Sequence, residues 1–432
     1  MRLAVLLSIM LGAIIMLLFL IANPTHIESV SFVNDELTLH TSTSPIVAQN
    51  PTSTTLAHTG DIERQAQLTN PPLVVKGVYA TGWSAGSKKK MASLIGLIDR
   101  TELNAIVIDI KDYSGYVSYK TGIPEVEASG AEKELRIIAP HTIIKTFHDK
   151  GIYVIGRVSV FQDPILARAR PELAMQDRTT GTQWKDHKGI MWMDPASEDV
   201  WRYNVAIARD ALSRGFDEIN FDYVRFASDG ALSNIVYPFW QEKISKRNVI
   251  KKFFEFVRKE LPEGKISADL FGLATVDPRD LGIGQVIEDG YENFDYVSPM
   301  IYPSHYATGF LGYKNPASFP YEVVWHSMDI ALTRVRQEWN KPLIAVPLAT
   351  SSLLASVATP VVPEVKPFTA KLRPWLQDFN LGATYTAELV RAQIRATEEA
   401  LGGARGANHY AGWLLWNPSN VYTESALLSE PQ

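Results

Sequence analysis

Carboxylates fall where strand alternation turns them to one side. In Asp217-Glu-Ile-Asn-Phe-Asp-Tyr-Val-Arg-Phe226, Ile219 and Phe221 share one face, and Asn220 and Asp222 share the other. A strand with one apolar and one acidic face is unusual in a plain core, because a buried carboxylate is unfavourable unless partnered or used. Other stretches repeat the pattern. Asp109 opposes Ile106, Ile108 and Ile110, with Asp112 at the strand tip. Arg157 and Ser159 oppose Val154, Val158 and Val160. Ser267 and Asp269 oppose Ile266, Ala268 and Leu270, and Ser298, Met300 and Tyr302 oppose Val297 and Ile301. Asp109, Arg157, Asp222, Asp269 and Tyr302 therefore gather on one side of several strands.

Paired carboxylates, an Arg, a Tyr and many aromatic rings suit cleavage of a glycosidic bond. One carboxylic acid protonates the leaving oxygen, and a second carboxylate attacks carbon or activates water. Asp222 and Asp269 end neighbouring strands and are the catalytic pair expected here, with Arg157 or Arg225 keeping one ionised. Asp109, Asp112, Arg157, Arg225, Tyr302, His305, Trp375, Asp378 and Trp416 are the expected substrate contacts, Asp112 and Asp378 doubling as reserve acids. A structural ion-pair network inside the sheet is the competing reading of the same residues. His141 and His148 read as solvated side chains on a helix rather than metal ligands, and Asp217 and Glu218 as solvated or capping. No metal or cofactor is expected. The chain lacks cysteine and carries a net charge of −5, which removes thiolate chemistry and gives no basic footprint for nucleic acid.

The elements that would position these groups alternate. Strands are expected at 74–83, 104–112, 153–161, 218–226, 265–272, 294–303, 343–350 and 410–418. Helices are expected at 88–100, 137–150, 198–214, 241–260, 286–291, 321–339 and 384–401. Eight strands with intervening helices argue for a (β/α)8 TIM barrel over residues 73–425, whose catalytic face is the carboxyl end of the strands. An open doubly wound sheet is the runner-up, but Gly82-Trp-Ser-Ala-Gly86 is not a phosphate turn. Long connections at 162–197, 227–240 and 351–383 all leave strand carboxyl ends.

Ahead of the barrel, Leu3 to Ala22 is uncharged and long enough to span a bilayer. Its exit, Ile21-Ala22-Asn23-Pro24, is a poor cleavage site, so residues 1–22 are expected to be an anchor rather than a signal peptide. Arg2 before the span places the remainder outside the cytoplasm. Residues 23–72, rich in Ser, Thr, Asn and Pro, are expected to be a flexible, disordered linker.

Phe216-Asp-Glu-Ile-Asn-Phe-Asp-Tyr-Val-Arg-Phe226, Ile266-Ser-Ala-Asp-Leu-Phe-Gly272, Ser298-Pro-Met-Ile-Tyr-Pro-Ser-His-Tyr306 and Leu372-Arg-Pro-Trp-Leu-Gln-Asp-Phe379 occur in that order. With Lys76-Gly-Val-Tyr79 and Val107-Ile-Asp-Ile-Lys-Asp112, they resemble the bacterial glycoside-hydrolase-like family of the DUF4015 type, over about Val74 to Pro418. The resemblance implies a TIM barrel related to glycoside hydrolases, exported or membrane-tethered; together with the leading apolar run, this makes an extracytoplasmic glycoside hydrolase acting on a cell-envelope or secreted polysaccharide the expected function. It implies an acid at Asp222 and a second at Asp269, where Glu is commoner. Two alternatives stay open: a catalytically silent barrel that binds glycans at the membrane, and a polysaccharide deacetylase, which would require a bound metal.

Overall fold

A computed structural model describes residues 60–339 and 370–429, and all of these from Asp61 onward form one unit. Eight parallel strand positions close into a ring. They are β1 (Val75–Ala80), β2 (Ala105–Lys111), β3 (Tyr153–Ser159), β4 (Glu218–Asp222), β5 (Ile266–Phe271), β6 (Tyr296–Ile301), β7 (Lys371–Leu372 with Trp375–Gln377) and β8 (Gly412–Trp416). Each pairs with the next, and β8 returns to β1 through Val75 opposite Gly412. Between them run α1 (Lys88–Arg100), α2 (Pro140–His148), α3 (Glu198–Arg214), α4 (Lys246–Glu260), α5 (Ile287–Asn293), α6 (Pro320–Trp339) and α7 (Ala387–Leu401). After β8 the tail crosses back to the end of α1, where Glu102 N–H donates to Leu428 O at 2.8 Å. The result is a TIM-barrel-like α/β fold.

Amphipathic helices fix which face of each strand looks inward. Ser245 caps α4 by accepting from Asn248 N–H at 3.2 Å, and Val249, Ile250, Phe253, Phe254 and Val257 bury one stripe of that helix. Phe253 meets Phe221 of β4 edge-on at 6.5 Å and Phe161 at 5.1 Å. With Ile219 and Phe221 held under the helices, the period of two sends Glu218, Asn220 and Asp222 into the barrel. On β2, Ile106, Ile108 and Ile110 likewise join the outer core, while Ala105 and Val107 join the inner one.

The barrel floor is an ion pair. Arg373 and Glu218 are wholly buried and bonded by two contacts, one of them 3.1 Å, and Ser267 Oγ also donates to Glu218 at 2.5 Å. Glu218 is therefore an interior residue, not the solvated one expected, because it shares the inward face with Asn220 and Asp222 and Arg373 neutralises it there. Asp217 does cap: it accepts from Leu68 N–H at 2.6 Å and Val154 N–H at 2.8 Å. His148 reaches Asp217 at 2.9 Å and His141 reaches Ile62 O at 2.8 Å, so both histidines are partnered rather than solvated.

Two departures from the expected layout change which residues build the barrel, beyond shifts of a few residues at element ends. The seventh strand position, expected at 343–350, is filled by Lys371–Leu372 and Trp375–Gln377; residues 343–350 lie outside those described. Arg373 and Pro374 split this strand, and a charge and an imide erase the alternation that would announce it. The linker expected to reach residue 72 is docked from Asp61. Asp61 accepts from His141 N–H at 2.9 Å and Thr142 N–H at 3.0 Å at the start of α2, and Leu68 packs on the inner core. Gln65 lies against Gly215, which ends α3 at φ +109; a Cβ there would sit 2.7 Å from Gln65 O. Residues 1–22 and 23–59 lie outside those described, and among the described residues no helix is long and apolar enough to cross a membrane.

Candidate active site

The carboxyl ends of β2 to β5 bring three aspartates around one guanidinium. Arg157 donates from Nη1 to Asp109 Oδ1 at 2.6 Å, and from Nε to Asp222 Oδ2 at 3.2 Å with Nη2 on the same oxygen. Its Nε also lies 3.9 Å from Asp269 Oδ2. Arg157, Asp109, Asp222 and Asp269 are 3%, 1%, 5% and 1% exposed, so these contacts act with little screening.

The three acids have different surroundings. Asp109 is filled on both oxygens, by Arg157 and by the Tyr79 hydroxyl at 2.5 Å, and it orients the guanidinium. Asp222 accepts Arg157 on Oδ2 and the Tyr223 N–H on Oδ1 at 2.5 Å. Tyr223 takes up φ +54 to make that contact, a left-handed backbone that is uncommon for a bulky residue and concentrated at functional positions. Asp269 accepts Asn220 Nδ2 and Trp375 Nε1, both at 2.8 Å, on a single oxygen, Oδ1. Burial first, and the charge of Asp222 second, hold its carboxyl well above the usual range, with Arg157 only partly opposing them. A proton on Asp269 belongs on Oδ2, because both neighbours of Oδ1 are donors.

Aromatic rings wall the group. Trp416 stacks on Tyr79 with centroids 3.9 Å apart, Trp375 meets Trp416 edge-on at 5.5 Å, and the Arg157 guanidinium lies 5.0 Å from the Trp416 ring. Tyr302 stands beside Phe379 at 5.7 Å and His305 at 5.3 Å; burial and then the nearby Asp269 and Asp222 raise its phenol well above the ordinary value. His305 is exposed at the rim. Beyond β1 and β2, Trp83 is 57% and Tyr113 51% exposed. Arg136, itself bonded to Asp112 at 2.5 Å, lies 5.4 Å from the Trp83 ring and 5.8 Å from Tyr116.

The structure thus brings together Asp109, Arg157, Asp222, Asp269, Tyr302, Trp375 and Trp416, with His305 and Asp112 at the edge. Asp378 stands apart: both its oxygens are occupied by Thr423, from N–H at 2.8 Å and Oγ1 at 2.7 Å, a clamp between the β7 exit and the tail. Arg225 makes no ion pair with Asp222. It lies between Trp192 at 4.8 Å and Phe271 at 4.7 Å, and its Nη1 donates to Phe226 O and Ser228 Oγ. In the loop after β3, Trp184 and Trp192 are buried and build the shelf under this region; Gln176–Asp177 pairs with Ile235–Val236 to tie the loops after β3 and β4 together. Tyr79 and Asn220 belong to the constellation although sequence reasoning gave them no role. Both sit on inward positions adjoining Asp109 and Asp222, a signal that alternation carries but that polarity alone does not single out. The described residues contain no cluster of three or more His, Asp or Glu placed to hold a metal ion.

The DUF4015 family, described as "Putative glycosyl hydrolase domain", matches residues 77–422, which takes in all of the ring but Val75 and Lys76, and with it Asp109, Asp222 and Asp269. This chain belongs to that family. No curated protein matches it. Among solved structures, a hypothetical protein from Ruminiclostridium thermocellum is 40% identical, over 44% of this chain and 96% of that one, with a TM-score of 0.41. The DUF4015 barrel also overlays the PgaB (BpsB) glycoside hydrolase domain from Bordetella bronchiseptica, at 12% identity, 82% and 99% coverage and a TM-score of 0.50. A GH20 exo-β-N-acetylglucosaminidase from Vibrio harveyi aligns at 11% identity, over 83% of this chain and 55% of that one, with a TM-score of 0.51. At those identities the likeness is one of fold: this is a glycosyl-hydrolase-type barrel.

Proposed function

We propose that this domain hydrolyses glycosidic bonds of a polysaccharide, with Asp222 as the carboxylate facing the anomeric carbon and Asp269 as the acid that protonates the leaving oxygen. The observation that carries the reading is the unequal treatment of two acids sharing Arg157. One is hydrogen-bonded to the guanidinium and to a backbone N–H; the other has its proton affinity raised by burial and by the charge of its neighbour. Their oxygens lie 3.2 and 3.9 Å from the same nitrogen, so both carboxylates address one point of the barrel mouth. In the retaining form of this reaction, Asp222 bonds to carbon as Asp269 releases its proton to the departing oxygen, and Asp269 then draws a proton from the water that frees the sugar. Tyr302 and the Trp375–Trp416 pair supply the walls for an oxocarbenium-like transition state.

The near-complete burial of both acids against Arg157 favours a second reading, a barrel that binds glycan without turnover. Digestion of a glycan library, followed by mass spectrometry of the products, separates the two. Products that disappear in Asp269→Asn support hydrolysis, whereas a glycan retained intact supports the binding barrel. We also propose that the uncharged run Leu3–Ala22, outside the described residues, holds the barrel on the outer side of the membrane, next to an envelope or secreted polysaccharide.

A further inference from the structure

A buried cation is expected to have a carboxylate partner. Among the described residues Arg136, Arg157, Arg214 and Arg373 pair with Asp112, Asp109, Asp210 and Glu218, and the buried Lys111 pairs with Asp163 at 2.7 Å. Arg225 is the exception. It is 7% exposed, yet no carboxylate of the described residues lies within the 4.0 Å of an ion pair. The acids that face it are Tyr223's neighbour Asp222, and Asp229 and Asp186. Asp222 is held by Arg157. Asp186 accepts from Gln162 Nε2, Trp192 Nε1, Lys188 N–H and Ile190 N–H, all within 3.0 Å, and Asp229 from His187 N–H at 3.2 Å. Burial lowers the proton affinity of Arg225, whereas the other four buried arginines are raised.

The guanidinium is also prearranged. Trp192 and Phe271 flank it, Tyr223 lies 5.6 Å away, and Nη1 is fixed by Phe226 O at 3.0 Å and Ser228 Oγ at 3.1 Å. Its Nε and Nη2 donate to nothing among the described residues. Arg225 leaves the same strand end as Asp222, and Tyr223 and Phe271 beside it are only half-buried, so the free edge borders the barrel mouth. In the loop beside it Lys188, whose N–H donates to Asp186 at 2.9 Å, is exposed and makes no ion pair among the described residues.

We infer that the substrate is an acidic glycan, and that Arg225 receives the carboxylate of a uronic acid or a similar acidic sugar unit next to the bond that Asp222 and Asp269 address. Two parallel N–H groups match the two oxygens of a carboxylate, and flanking rings keep water from competing. The inference rests on the reading of the mouth as a glycan site, but not on turnover.

The test is binding of the full-length protein, in mild detergent at low salt, to polygalacturonate and alginate. Carboxyl-reduced polygalacturonate is the neutral counterpart and dextran sulfate the non-carboxylate anion. The acidic sugars should bind at least about tenfold more tightly than the reduced polymer. Arg225→Met, which keeps an apolar stem between Trp192 and Phe271, should erase that preference without lowering the melting temperature, and Arg225→Lys should restore part of it. Equal binding of the reduced polymer, retention of none of the polyuronates, retention of dextran sulfate alone, or a preference that survives Arg225→Met overturns the assignment. Release of reducing ends is measured in parallel. A polyuronate that binds through Arg225 and is never cleaved removes the hydrolase reading while leaving this one standing.

Discussion

Asp222→Asn is the substitution that separates catalysis from architecture. Asparagine keeps the shape, and its oxygen can still accept from Arg157 or from the Tyr223 N–H, but the charge opposite the guanidinium is lost. Arg157 retains Asp109 at 2.6 Å, so it is not left as an unpaired buried cation. The loss is then that of charge-assisted hydrogen bonds, ~1.5–3 kcal/mol, rather than the ~3–5 kcal/mol of stranding one partner of an isolated pair. A domain of this length gains about 0.8 kcal/mol/K of entropy on unfolding, so the melting temperature should fall by about 2–4 °C. Turnover should fall much further, by about 10³-fold or more, because the group facing the anomeric carbon is gone. The assay is thermal unfolding of both proteins beside turnover per folded molecule on the glycan found by library digestion. A variant that melts a few degrees lower and still turns over at the wild-type rate refutes a catalytic Asp222 and transfers the role to Asp269 with Asp112.

Three further outcomes follow from the same geometry. Asp269 has a raised folded pKa, so the stability it contributes is fully present below its unfolded value of about 3.8 and is lost as pH rises toward the folded value. Urea unfolding against pH should therefore show Asp269→Asn gaining on wild type as pH climbs from about 4, and a gap that stays constant would mean the carboxyl is not held protonated. A chain beginning at Asp61 should melt like the full-length protein, whereas one beginning at Leu73 should melt lower, because it loses the Asp61 cap on α2, the Leu68 contact with Asp217 and the cover over the barrel floor. Equal melting of the two truncations would show that the docked segment adds nothing. For the leading segment, amino-terminal sequencing of membrane-derived protein should return Met1; a chain starting near Asn23 would make the protein secreted.

Alternation alone decided which residues enter the barrel. Ile106, Ile108 and Ile110 against Asp109, and Ile219 and Phe221 against Asp222, leave one orientation, since a one-residue slip would put isoleucines in the mouth and carboxylates under the helices. The helix stripes were equally legible, because a period of 3.6 is written locally. Contacts made by residues distant in the chain were not legible. β7 is held by pairing with β6 and β8 across an Arg-Pro break, and nothing within Lys371 to Gln377 announces a strand. Glu218 reads as a surface acid until Arg373, far along the chain, arrives beneath it. Asp378 reads as a candidate acid until Thr423 covers both its oxygens, and Arg225 as a partner for Asp222 until Trp192 and Phe271 hold it apart. The sequence determines which side chains can face one another, through backbone periods that act over a few residues. Only ring closure decides which of them meet, because the partners that set charge and burial come from strands and loops far apart in the chain.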